Sequence, residues 1–74
     1  MSEQLITDEI NNDTIDLSTY ENRYKQIKTL IESMESDVLK SEKGNKAASV
    51  RLRKGLRLLK SQSGDFVKFT LGKL

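Results

Sequence analysis

Seven positive side chains, Lys43, Lys46, Arg51, Arg53, Lys54, Arg57 and Lys60, fall within residues 43–62, and no acid interrupts them. Lysine and arginine at that density suit phosphate, because each contact with a nucleic-acid backbone releases condensed counterions. If the segment is a helix turning 100° per residue, Lys46, Arg53, Arg57 and Lys60 fall within about 60° of one another. Arg53 with Arg57, and Arg57 with Lys60, are then like-charge neighbours that cost stability unless a polyanion meets them. The competing interpretation is a solvated face, but such faces on small helical proteins usually mix signs. Arg and Lys with few Asn or Gln and no exposed aromatic beside them are poorly equipped to read base edges or stack on bases. The expected partner is therefore duplex backbone, with DNA preferred and RNA left open.

Other chemistries lack their parts. The 74 residues include no His, Cys, Pro or Trp, which removes the commonest general base, thiolate metal sites and disulfides. Gly72-Lys73-Leu74 lacks the spaced glycine and hydroxyl residue of a phosphate-binding loop, and Asp8, Glu9, Asp13 and Asp16 do not fit a calcium loop. The chain reads as non-enzymatic, with no cofactor, no metal and no small-molecule substrate. No apolar run approaches the roughly 20 residues a membrane span needs, and the acidic start at Glu3, Asp8 and Glu9 is unlike a signal or transit peptide. A soluble protein remaining where it is made is expected, in cytoplasm or nucleoid, or in a virion if the host is viral.

The elements that must carry the basic face follow from charge and spacing. Residues 1–22 hold six acids and no base, whereas residues 23–74 hold thirteen bases and five acids. This divides the chain into an acidic flexible arm over 1–17 and a helical domain over 18–74. The arm serves solubility, or competes with nucleic acid for the basic face. Ser18 followed by Glu21 matches a capping box and predicts a first helix near residues 19–41. Along it, Tyr20, Tyr24, Ile27, Ile31, Met34 and Val38 recur at heptad spacing, with Leu30 and Leu39 on the flanks. Gly44 can close that helix in the left-handed conformation and Asn45 can cap the next. The second helix is expected over residues 46–62, with Ala48, Leu52, Leu56 and Leu59 facing the seam and Gly55 allowing close approach. Gly64 is expected to end it, and Phe66–Leu71 reads as a short helical turn or a strand, the turn being preferred. The fold class is all-α, a helical hairpin of two antiparallel helices with a heptad-like seam. Such a hairpin has a thin core, so a homodimer forming a four-helix bundle is expected, with Tyr24, Ile27, Ile31, Met34, Val38, Leu52, Leu56 and Leu59 as the packing and oligomer seam.

The stretch Gly44-Asn45-Lys46-Ala47-Ala48-Ser49-Val50-Arg51-Leu52-Arg53-Lys54 resembles a family. Its pattern, G-N-K-A-A-x-x-R-x-R-K, is similar to that of the linker-histone-like nucleoid proteins first known from chlamydiae, with small relatives in other bacteria and some viruses. The resemblance spans about residues 24–62. It implies a small helical protein that binds DNA with little sequence preference and organises a nucleoid or packaged genome, and it places phosphate contacts at Lys46, Arg51, Arg53 and Lys54. Arg57 and Lys60 extend that set along the helical face. The chain departs from the chlamydial proteins in lacking a long Lys/Ala/Pro-rich tail and in having Gly64, Phe66 and Phe69 where a charged helix would continue.

Two competing functions share these residues. A helical scaffold module in a larger particle would dock a partner on the Leu stripe and the Phe66/Phe69 end. A basic amphipathic helix over Val50–Lys60 could also lie on an anionic membrane, but its leucines are claimed by the seam.

Overall fold

The computed structural model describes residues 16–74, and all regular structure among them is helical. Three helices follow one another, α1 (Tyr20–Ser33), α2 (Glu35–Glu42) and α3 (Lys46–Thr70). The all-α expectation is met. The acidic arm expected over 1–17 lies outside the described residues, apart from Asp16 and Leu17.

The start of α1 sits one residue later than the capping box placed it. Both the N–H and the hydroxyl of Ser18 donate to the Asp16 carboxylate, so that hydroxyl is directed away from the helix. Thr19, in extended backbone, takes the cap position, and its Oγ1 accepts from the Asn22 N–H at 3.0 Å. The two donors of Ser18 hold the exposed Asp16 carboxyl below its ordinary pKa. Glu21 in the first turn faces Lys25 one turn on, at 3.2 Å.

A single first helix was expected to residue 41, but the helical run breaks at Met34. The Ser33 hydroxyl donates to the Leu30 carbonyl at 2.7 Å, a local bond that competes with the backbone ladder and bends helices. The Met34 N–H meets Ile31 O at 3.1 Å in a tightened turn, and α2 restarts with Val38 N–H on Met34 O. The break is backed by packing. A Cβ built on Gly55 would lie 2.5 Å from Met34 Sδ and 2.9 Å from its Cγ, so the thioether occupies the space a side chain at 55 would fill.

The turn between α2 and α3 follows from its chemistry. Gly44 takes φ +91°, and its N–H meets Ser41 O while the Asn45 N–H meets Lys40 O, both at 3.0 Å. This pair of bonds is a Schellman closure. Asn45 then opens α3, its side-chain oxygen accepting from the Ala48 N–H at 2.9 Å. One residue thus ends one helix and begins the next.

Gly64 does not end α3, which continues to Thr70. A glycine inside a helix costs about 1 kcal/mol against alanine, a penalty that the packing of the last turns outweighs. The Tyr20 ring lies edge-on to Phe66 and Phe69, with centroids 6.0 and 5.3 Å away, and the Arg23 guanidinium sits 4.4 Å over the Phe69 ring. The helix closes instead at Gly72, φ +73°, whose N–H meets Phe69 O while Lys73 N–H meets Lys68 O. The helical alternative for Phe66–Leu71 therefore holds, as a continuation of α3 rather than a separate turn.

Both α1 and α2 pack along α3. The partners run in reverse chain order, Tyr20 meeting Phe66 and Phe69, Met34 meeting Gly55, and Asp37 meeting Arg51. The less exposed residues on the contact side are Arg23, Ile27, Leu30, Met34, Asp37 and Ser41, against Ala48, Leu52, Gly55, Leu59, Gln62, Phe66 and Phe69. Only Met34 and Ala48 among the described residues are fully buried, at 7% and 0% exposure. Of the seam read from apolar spacing, Ile27, Met34, Leu52 and Leu59 lie in these rows. Tyr24, Ile31, Val38 and Leu56 are 59%, 50%, 47% and 48% exposed and stand to one side. The row is rotated because Arg23 finds the Phe69 ring and Asp37 finds Arg51, which lets two charged residues occupy contact positions.

Candidate nucleic-acid interface

With Ala48, Leu52, Gly55 and Leu59 turned toward α1 and α2, the helical phase of α3 sets the rest. At 100° per residue, Lys46, Arg53, Arg57 and Lys60 fall about 120° to 180° away from the contact side, so they point outward. All four are exposed. Because α3 runs through Gly64, Lys68 joins them on the same face, and the row extends from Lys46 to Lys68 over roughly 33 Å at 1.5 Å per residue. No acid of the described residues lies within ion-pair distance of any of these five. A line of unpaired like charge along one helix raises the local potential and favours a polyanion over bulk counterions.

Lys68 is absent from the sequence-derived set. Its signal was present in the spacing from Arg57 through Lys60 and Gly64 to Lys68, and reading Gly64 as a terminator hid it. Gly64 lies on the outer face itself. A side chain there would meet nothing within 4 Å, and the position forms a shallow recess lined by Arg57, Lys60, Ser61, Asp65 and Lys68. Asp65 is the acid at its edge.

Arg51 and Lys54 are placed differently from the row. The Arg51 guanidinium is held by Asp37 through Nη2 at 3.0 Å and Nε at 3.1 Å, so one end of its donor fork is spent inside the molecule. It turns toward α2 and braces the contact beside the Gly44 turn. Lys54 is exposed on the flank between Arg51 and the outer row. The exposed tyrosines Tyr20 and Tyr24 belong to α1 and not to the helix that carries the basic row.

Comparison with known proteins bears on the same region. A family model described as Histone H1-like protein Hc1 matches residues 21–70. The chain belongs to this family. The match begins in the first turn of α1 and ends on the last residue of α3, so the Hc1 unit takes in the three helices and not merely the Gly44–Lys54 core. Histone H1-like membership points to a DNA-binding, nucleoid-associated protein and not to an enzyme. No curated protein and no solved structure matches the chain. Among the described residues, no helix is long and apolar enough to cross a membrane.

Proposed function

We propose that this chain is a sequence-nonspecific, histone-like DNA-binding protein that helps organise a nucleoid or a packaged viral genome through the outer face of α3. The observation that carries the reading is the basic row from Lys46 to Lys68, which meets no acid within ion-pair distance among the described residues. Its length, roughly 33 Å, is close to one turn of duplex, about 34 to 36 Å. Lys46, Arg53, Arg57, Lys60 and Lys68 contact phosphates along it, Lys54 adds a contact from the flank, and Arg51 reaches phosphate only by sharing its guanidinium with Asp37. The body that presents them is an antiparallel hairpin, a reading supported by the reverse order of contacts along α3. Two chains associate as a homodimer. Duplex DNA is preferred, and duplex RNA engages the same row more weakly.

Fluorescence anisotropy of a labelled random-sequence duplex at 50 mM and 200 mM salt tests this directly. With four to six phosphates neutralised, affinity should fall by about 10² to 10³ across that range and vary little with sequence. Absence of binding at the lower salt would overturn this reading and leave the basic row to a protein or membrane partner.

A further inference from the structure

We propose that a second copy of this chain covers the broad face on which Tyr24, Ile31 and Val38 stand beside Leu56 and Val67, with α1 and α2 of each copy lying on α3 of the other. The inference rests on the hairpin and homodimer reading above and names the surface and register of the pairing. It does not depend on what the basic row binds.

The first argument is the missing core. Two buried residues, Met34 and Ala48, are the whole fully buried set among the described residues. A chain this small buries too little of its own surface to be securely stable alone. Meanwhile Tyr24, Ile31, Val38, Leu56 and Val67 remain 47% to 60% exposed.

The second argument is that these side chains share one face. Tyr24, Ile31 and Val38 recur every seventh residue and lie about 60° to 100° to one rotational side of the row that meets α3. Leu56 and Val67 lie about 80° to 100° to the same rotational side of the facing row on α3. In helices whose contacts run in opposite chain order, the same rotational side is the same physical face. An apolar recess spans that face from both sides, lined by Ile27 of α1 and Ser63, Phe66, Val67 and Thr70 of α3.

The third argument identifies the occupant. The apolar stripe is bordered by exposed charge, Glu42 at the helical phase of Tyr24 and Lys60 about 20° beyond Val67, so a copy set against it covers an apolar centre and leaves these charges at its rim. Two helices of about 35 Å set roughly 10 Å apart offer about 700 Å², close to the roughly 800 Å² per partner of a standard interface. Charge fixes the arrangement. Helix α3 carries seven bases and one acid, whereas α1 and α2 together carry four bases and five acids. Stacking α3 on its own copy would oppose like charge, and stacking it on α1 and α2 of the partner avoids this. Because Met34 is level with Gly55 and Asp37 with Arg51, a two-fold axis along the helices brings Ile31 of each copy to the partner's Leu56. Both basic rows then remain outside, on opposite sides of a four-helix bundle.

Sedimentation equilibrium of the full chain without nucleic acid reads the pairing. The expected result is a mass rising toward twice 8.4 kDa with concentration. Ile31→Glu and Leu56→Glu should each leave a helical monomer, while Leu58→Glu, equally exposed at 50% but on the opposite broad face, should still pair. Because the chain has no cysteine, register is read separately. Oxidised glutathione should couple Ile31→Cys to Leu56→Cys in a mixture, in preference to either variant with itself. A monomer at every concentration overturns the proposal, as does a Leu58→Glu variant that dissociates while Ile31→Glu does not. If the Glu variants lose helicity, the cysteine mixture decides, and failure to form the mixed disulfide overturns the register. None of these outcomes touches duplex affinity, so this inference and the DNA reading fail independently.

Discussion

Two glycines of α3 separate packing from propensity at the scale of single residues. Gly55 has Met34 Sδ where its Cβ would be, whereas Gly64 has open space. Gly64→Ala should therefore recover the helix propensity that glycine forfeits, about 0.5 to 1 kcal/mol. Gly55→Ala gains the same propensity but must displace the buried thioether, and should come out less stable than the parent. Thermal melts followed by circular dichroism check the pair, and equal shifts in both variants would remove the Met34 contact from the account. The basic residues divide in the same way. Arg57→Gln removes an unpaired charge from the outer row, so it should lower the salt slope of duplex binding by about one unit with little change in stability. Arg51→Gln leaves the Asp37 carboxylate, whose side chain is only 18% exposed, without its partner. Its main effect should be a lower urea midpoint, with a smaller change in salt slope. The Gly44–Asn45 turn was legible in the sequence because its chemistry is local: a left-handed glycine followed by a capping side chain needs nothing from elsewhere. The break at Met34 was not, since it depends on a glycine twenty-one positions away.

Two adjacent apolar residues left the choice of seam open at the scale of elements. Leu30 and Ile31 support heptad rows about 100° apart, and spacing alone gives no reason to prefer one. The contact row passes through Leu30 because its polar members, Arg23 and Asp37, find specific partners on α3 in Phe69 and Arg51. Hydropathy counts such residues against a buried position, so the pairing could not be read from them. The length of α3 was hidden by a similar competition. Gly64 signals an end, but Phe66 and Phe69 reach Tyr20 only if the helix continues. Those rings should carry measurable stability. Phe69→Ala removes both the edge contact with Tyr20 and the ring beneath Arg23, and should cost about 2 to 3 kcal/mol in urea denaturation for a ring that is only partly buried. It should also fray the last turns of α3, which carry Lys68. Loss of duplex affinity beyond that of Lys68→Ala would mean that the aromatic end takes part in binding, whereas an equal loss identifies positioning of Lys68 as its whole effect.

At the scale of the molecule, the acid-free run read from residues 43–62 becomes most of one helix: among the described residues α3 carries seven bases and one acid, whereas α1 and α2 are near balance. What charge and spacing could not supply was which face each base occupies, because that follows from the rotation of the contact rows. The turn at Gly44 and Asn45 has a further consequence, for the speed of folding. Its two backbone bonds and the Asn45 cap all close between residues three to five positions apart. The loop-closure entropy that slows non-local folds is therefore small at the point where α2 and α3 meet. The chain should fold from this corner outward, on the microsecond-to-millisecond scale of helical proteins, with α1 zipping onto the far half of α3 afterwards. Asn45→Ala should cost about 1 kcal/mol through the lost cap, and the loss should fall on the folding rate while unfolding stays near its parental value. Tyr20→Ala, at the other end, should do the reverse. Temperature-jump relaxation of the two variants would thus record the order in which the helices meet.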